Sequence, residues 1–241
     1  MDFSYEALSP GVFAAVTKQH RFGVDAVLLA RFSRPGRRDF AADLCSGCGV
    51  IPLLWFSEGP GPEHADAVEL MPEAAELIRL GIAKSGLTGR LSAVEADLRD
   101  LSGVLPAGKY DLIACNPPYQ AKGAANQSPD PARNAARHEV SCSIGDVCAA
   151  AGRLLRFGGR LCICHRPERL LDAAAAMRAN KIEPKRLRLV QHAAGKTPFL
   201  LLLEGRLGGK PGLSAEPALL LEGPEADADG PLQNFHIERG R

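Results

Sequence analysis

The sequence predicts an α/β protein: a Rossmann-like, seven-stranded, mostly parallel sheet with an antiparallel last strand and helices on both faces. Three observations predict it. Short apolar runs recur at 40–44, 64–68, 91–95, 110–115, 160–164, 186–192 and 199–204, most of them separated by helically patterned stretches, the alternation that builds βαβ units. The first run passes through Cys45-Ser46-Gly47-Cys48-Gly49 into an apolar helix start, and strand, glycine turn and helix in that order open a doubly wound sheet. The last two runs are joined by Ala193-Ala194-Gly195-Lys196-Thr197-Pro198 with no helix between them, so they should pair antiparallel.

Length and composition set the bounds. A chain of 241 residues that is 46% hydrophobic can bury one sizeable core. The expected organisation is an N-terminal helical segment (1–38) packing near the site, a sheet domain (39–205) and a C-terminal extension (206–241), partly mobile, in which 218–221 adds an edge strand. Met1 to Pro10 has no basic segment followed by an apolar run, and no window reaches the roughly eighteen apolar residues a membrane helix needs. The expectation is a soluble, cytoplasmic protein without a membrane partner. Seven cysteines, an odd number scattered through apolar runs, read as free thiols in a reducing compartment. The net charge of +1 is unevenly spread: Arg31, Arg34, Arg37 and Arg38 cluster early, and basic residues dominate from Arg153 to Lys210. Such a distribution, more than the total, decides charged partners.

Taken in order, Phe22-Gly23-Val24-Asp25 before Ala26 to Ala30 reads as a helix start with Asp25 as N-cap. Phe40 to Leu44 is the first strand and Val50 to Phe56 the next helix, with Pro52 tolerated in its first turn. Gly47 and Gly49 allow close backbone approach to a ligand, and the helix start behind them favours a negative group. A dinucleotide fingerprint requires a third glycine where Pro52 stands, so a cofactor carrying a carboxylate is favoured over a pyrophosphate. Cys45 and Cys48 form a lone C-x-x-C with no matching second pair, which argues against a zinc site. Glu69, with Leu70 beside it, ends the second strand twenty residues after Gly49, where a carboxylate can accept from both hydroxyls of a ribose. The plainer alternative is a helix cap for 72–84. After the third strand, Asp97 is placed to accept from an adenine amino group while Leu98 packs on the ring.

The fourth strand delivers Asn116-Pro117-Pro118-Tyr119. Two prolines stiffen the backbone and remove N–H groups. The Asn116 side-chain carbonyl and the Pro117 main-chain carbonyl are two acceptors able to grip both hydrogens of a planar amine, and Tyr119 offers a stacking face for a base. Asn-Pro-Pro is also an ordinary turn; its place after the glycine loop and the carboxylate favours the functional reading. Residues 120–139 read as a long loop over the site, from which Arg133, Arg137 and His138 could touch phosphates of a polymer. Beyond it come a helix at 143–157 ended by Gly158-Gly159, the fifth strand, a helix at 167–180 and the final strand pair. Leu207 to Gly212 is glycine-rich, but no helix follows it, so it is not a phosphate loop.

The glycine loop, the carboxylate after strand two and Asn-Pro-Pro-Tyr after strand four resemble, in that order, class I S-adenosylmethionine-dependent methyltransferases that act on amino groups. More narrowly, 43–54, Ala136-Arg137-His138-Glu139, His165-Arg166-Pro167-Glu168-Arg169-Leu170 and Gly208-Gly209-Lys210-Pro211-Gly212 are similar to the tRNA-valine adenine-N6 methyltransferase family. The resemblance covers about 20–212 and implies S-adenosylmethionine as cofactor and tRNA as partner, with methylation of the adenosine 3′ of the anticodon. It implies that Asp43, Cys45, Gly47 and Gly49 surround the methionine part of the cofactor, that Glu69 holds its ribose, and that Asp97 and Leu98 hold its adenine. Asn116, Pro117, Pro118 and Tyr119 form the pocket for the target base. Cys45 departs from the general pattern, which has glycine there. Because a sulfonium already carries an activated methyl, the expected in-line transfer needs no metal. Competing readings are a protein glutamine-N5 methyltransferase, a ribosomal RNA amino-methyltransferase, an NAD-dependent oxidoreductase and a non-catalytic RNA-binding module. The short segment ahead of the glycine loop and the basic C-terminal half favour RNA.

Overall fold

A computed structural model describes residues 1–117 and 142–222. Pro118, Tyr119, Arg133, Arg137, His138 and everything past 222 lie outside the described residues. The chain opens with a hairpin, β1 (Ser4–Ser9) and β2 (Val12–Val16), then α1 (Val24–Ser33), β3 (Phe40–Leu44), α2 (Val50–Ser57), β4 (His64–Glu69), α3 (Pro72–Lys84), β5 (Leu91–Glu95) and β6 (Tyr110–Cys115). There follow α4 (Ile144–Leu154), β7 (Leu155–His165), a 3₁₀ turn (Pro167–Arg169), α5 (Leu170–Ala179), β8 (Ile182–Gln191) and β9 (Leu200–Leu207). Two short strands close the described chain, β10 (Ser214–Ala215) and β11 (Leu219–Leu220).

One sheet carries the molecule, in the order β10-β8-β9-β7-β6-β3-β4-β5, with β11 also on β8. Strands β3 to β7 pair parallel, and β9 lies antiparallel between β7 and β8, as the helix-free connection requires. The sheet holds nine strands instead of the expected seven. The seven long ones are those of the sequence; the two additions are two-residue pairings on the edge of β8, of which β11 falls within the edge strand expected at 218–221 and β10 is too short to leave a periodic signal.

Neighbouring residues along the central strands fall into two cores. Ala41, Leu112, Cys162 and Leu202 join α1, α2 and α3 on one face, while Ala42, Ile113, Leu161 and Leu203 join α4 and α5 on the other. Burial on both faces is why these strands read as unbroken apolar runs. The cysteines among them are free thiols, mostly buried, that serve as small apolar residues.

Three expectations are corrected. Residues 1–38 are not simply helical, for β1 and β2 form a hairpin that lies against α3, where a Cβ at Gly81 would come within 3.1 Å of the Phe13 carbonyl. Helix α1 takes Gly23 as N-cap, and Asp25 sits in its first turn, complementing the helix dipole. The helix expected to run to Phe157 stops at Leu154, because β7 begins at once: Leu155 pairs with Tyr110 and Arg160 with Leu112, with a bulge between. Gly159 sits in that bulge, where any Cβ would meet the Tyr110 carbonyl at 2.8 Å. The start of α4 is a capping box, Ser143 with Asp146.

Tyr110 is fully buried and donates its hydroxyl to Asp66 Oδ2 at 2.7 Å, while Asp66 Oδ1 lies 3.2 Å from His64 Nε2. Burial, and then the bond to Asp66, hold the phenol well above its usual range. Removing the hydroxyl leaves a buried carboxylate oxygen short of a donor. Tyr110→Phe is expected to cost about 1–3 kcal/mol, read as a lower midpoint in urea unfolding; an unchanged midpoint would show that the pair contributes nothing.

Candidate active site

Ligands of open α/β sheets sit at the carboxyl ends of the strands. Here a cavity of about 280 Å³ lies at the ends of β3, β4, β5 and β6, and its described lining includes Cys45, Gly47, Glu69, Leu70, Asp97, Leu98 and Asn116. Five of the seven residues that the resemblance sets around the cofactor therefore meet at one opening, together with Leu70 and Asn116. Asp43 and Gly49 are not among the lining residues and act on the loop from behind.

The loop after β3 is a run of tight conformations. Cys45, Gly47 and Gly49 have φ of 58°, 58° and 79°, and a glycine at 45 would adopt this at no steric cost where cysteine pays some. The Ser46 N–H donates to Val68 O at 3.0 Å, the Ser46 hydroxyl to Asp43 Oδ2 at 2.5 Å, and the Gly49 N–H to Ser46 O at 2.9 Å. A side chain at Gly49 would press on Ile78 of α3, its Cβ 3.1 Å from Cγ1. So Gly49 serves the close packing of loop on helix.

Two carboxylates set the electrostatics. Glu69 Oε2 accepts from the Gly47 N–H at 2.8 Å and Oε1 from the Met71 N–H at 2.9 Å, so one side chain ties the glycine loop to the start of α3. An ionised carboxylate offers about four acceptor sites, so each oxygen retains capacity for a diol. Asp43 is completely buried, and its Oδ1 has no hydrogen-bond partner among the described residues. Burial pushes its carboxyl up to about 8, against the Ser46 bond that lowers it, with the charge of Glu69 raising it further.

The adenine end differs from expectation. Arg99 grips Asp97 in a fork, Nε to Oδ1 at 2.9 Å and NH2 to Oδ2 at 2.5 Å, and that contact first, ahead of the backbone bond from Arg99, holds the Asp97 carboxyl below its usual range. Asp97 thus reaches the cavity with part of its acceptor capacity used, and Leu98 supplies the apolar wall.

Asn116 stands at the mouth of β6, and its Oδ1 accepts from the Cys164 thiol at 3.1 Å, which orients the side-chain amide. Cys45 and Cys142 face each other with sulfurs 3.3 Å apart. The Cys45 thiol is raised well above its ordinary range, first by its bond to the Cys115 thiol, and Cys142 is raised by its bond to Cys45 and by burial. These are protonated, weakly nucleophilic thiols.

Sequence reasoning missed His20, Met71, Arg99 and Cys142, which also line the cavity. Arg99 had a local signal, since Asp97 Oδ1 also accepts from the Arg99 backbone N–H at 2.9 Å, the Asx-type turn that Asp favours. His20 and Cys142 are brought in from distant segments and had none.

Comparison with known proteins bears on what this arrangement is. Residues 8–179 match the methyltransferase small domain. The chain belongs to that family and is an S-adenosylmethionine-dependent methyltransferase. It is 30% identical over 206 residues to the tRNA1(Val) (adenine(37)-N6)-methyltransferase of Cronobacter sakazakii, covering 85% of this chain and 82% of that one. It is 29% identical over 192 residues to the protein of the same name from Porphyromonas gingivalis, covering 77% and 74%. Among solved structures, a predicted O-methyltransferase of Agrobacterium tumefaciens superposes with a TM-score of 0.65 at 20% identity, over 85% of this chain and 90% of that one. A geranyl diphosphate methyltransferase in complex with sinefungin gives 0.56 at 14%, over 75% and 77%. At such identities these two speak for the fold alone. Among the described residues no helix is long and apolar enough to cross a membrane.

The buried Asp43 makes stability depend on pH. Between the ordinary carboxyl value of 3.8 and about 8, the unfolded chain has lost a proton that the folded one keeps, so stability falls as pH rises through that window. Asp43→Asn removes this loss. The melting temperature of the variant minus that of the parent, measured without cofactor, should grow by several degrees from pH 4 to pH 8; a difference constant with pH refutes the assignment.

Proposed function

We propose that the protein transfers the methyl group of S-adenosylmethionine to the exocyclic N6 of an adenosine in tRNA, the one 3′ of the anticodon, with a valine tRNA as the natural substrate. The observation that carries this reading is that Glu69 and Asn116 line one cavity, so a cofactor held at the first can present its methyl to an amine held at the second. The names of the relatives support the choice of nucleic acid and of nitrogen.

The residues present suit the cofactor. Glu69 offers paired acceptors for the ribose hydroxyls, Gly47 leaves backbone exposed for close approach, and Leu70 and Leu98 supply apolar surface for the adenine. When bound, S-adenosylmethionine supplies an electrophilic methyl on a sulfonium.

The chain's own work is positional. An adenine N6 is a weak nucleophile because its lone pair is delocalised into the ring. Asn116 Oδ1 and the Pro117 carbonyl accept its two hydrogens, which favours a more tetrahedral nitrogen and frees the lone pair for in-line attack. The Cys164 thiol on Asn116 keeps that oxygen aimed. Tyr119 would stack on the base and Arg133, Arg137 and His138 would meet phosphates; all four lie outside the described residues. A glutamine amide is also a planar NH₂, so a protein substrate is the second reading that Asn116 itself permits.

Asn116→Ala should lower methyl transfer by about 10²-fold or more while calorimetric affinity for S-adenosylmethionine stays near that of the parent; equal turnover removes Asn116 from the mechanism. Glu69→Gln should do the reverse first, weakening cofactor binding by roughly ten- to a hundredfold. The deciding assay is tritiated methyl transfer offered total tRNA, ribosomal RNA and protein fractions, followed by nucleoside digestion. Label in N6-methyladenosine from tRNA is expected, and label confined to protein glutamine overturns the reading.

A further inference from the structure

A second cavity, of about 540 Å³, opens on the α1 face of the sheet, away from the ends of β3 to β6. Its walls are arginines. Arg160 of β7, Arg206 of β9 and Arg186 and Arg188 of β8 rise from three adjacent strands, and Arg31 and Arg34 close it from the end of α1. Against these six, the described lining contains two carboxylates, Glu204 and Glu216.

Part of this cluster has a structural explanation. Arg160 donates to the carbonyls of Ser33 and Arg34 at 3.1 and 3.3 Å and Arg186 to that of Phe32 at 2.7 Å, so the two cap the last turn of α1. Both also bond Glu204 Oε2, at 3.1 and 2.9 Å, Arg186 donates further to Glu216 at 3.3 Å, Arg188 to the Pro217 carbonyl at 3.2 Å and Arg31 to Glu58 at 2.7 Å. That leaves the surplus. Arg206 stands directly across the β7–β9 pairing from Arg160, an arrangement of like charges that costs stability. Arg34 and Arg206 are exposed, and the buried Nε of Arg186 has no hydrogen-bond partner among the described residues. Arg37 and Arg38, also exposed, continue the positive charge past α1.

An aromatic stands nearby. Phe157, 79% exposed on the β7 bulge, lies over Gly208, two residues beyond Arg206, where a Cβ would come within 2.2 Å of its ring. Exposed aromatic surface beside clustered guanidinium groups suits nucleic acid, whose bases stack and whose phosphates match the arginine fork.

We propose that this trough is a docking surface for the sugar–phosphate backbone of the RNA substrate, an assignment that rests on the RNA reading above. Its position fits one continuous ligand. Arg160 pairs with Leu112, four residues before Asn116, so the trough lies roughly 13 Å from the cavity along the strand direction. That is about four phosphates along one strand of a duplex. The polyanion supplies the negative charge that Glu204 and Glu216 do not, and it removes the penalty of placing Arg160 beside Arg206.

The test is the double variant Arg188→Ala/Arg206→Ala, whose two residues lie outside the Arg160–Glu204–Arg186 cluster. Affinity for tRNA is measured by filter binding from 50 to 300 mM salt, with thermal melting to verify folding and calorimetry for S-adenosylmethionine. The slope of log affinity against log salt should flatten by roughly one to two and the KM for tRNA should rise about tenfold, with cofactor affinity unchanged. Arg188→Lys/Arg206→Lys should keep most of the slope. Unchanged slope and KM, in a folded variant of a parent that methylates tRNA, overturn the trough assignment alone. A parent that binds S-adenosylmethionine and labels protein but no RNA overturns the function reading, and the trough assignment with it.

Discussion

The Glu69 carboxylate is the interaction on which the site depends. By accepting from Gly47 on one side and Met71 on the other, it locks the loop after β3 to the start of α3. The register beneath makes the lock work: Leu44 pairs with Val68, and the Ser46 N–H then reaches the Val68 carbonyl, so β3 and β4 release their loops at the same height. The same carboxylate is the one proposed above to receive a ribose, and a group that is already positioned loses little entropy when a ligand arrives.

Around that lock the chain tolerates several local costs. Cys45 occupies a left-handed conformation that glycine takes freely, and Asp43 is buried with an oxygen unsatisfied. Buried polar groups without partners are rare in folded proteins, and strained residues gather at functional sites. Both costs here fall within three residues of each other, at the end of β3. The surrounding core tolerates them because α2 and α3 are held by close apolar contact on both sides of the loop.

The antiparallel strand has a second consequence. With β9 between β7 and β8, Arg160, Arg186 and Glu204 become neighbours on one face, and the end of α1 descends onto them. The cavity at one end of the sheet and the arginine trough on its flank are thus products of a single topology. Catalysis by positioning alone needs a substrate held at more than one point.

By itself the sequence determined the strands buried on both faces. The runs at 40–44 and 110–115 are the observed β3 and β6, because two-sided burial leaves continuous apolar stretches ended by Gly or Pro. It also put the loop, Glu69 and Asn116 at the ends of their strands, where they line one cavity, because that spacing is measured in single elements. The hairpin was readable in principle, since Pro10-Gly11 between short apolar runs is a turn signal, but one hairpin carries little periodicity. What only the tertiary structure decided are contacts between distant segments: His20 and Cys142 at the cavity, Cys164 on Asn116, and Arg160 opposite Arg206. Strand order sets such meetings, and neither residue of a pair separated by dozens of positions carries a local mark of its partner.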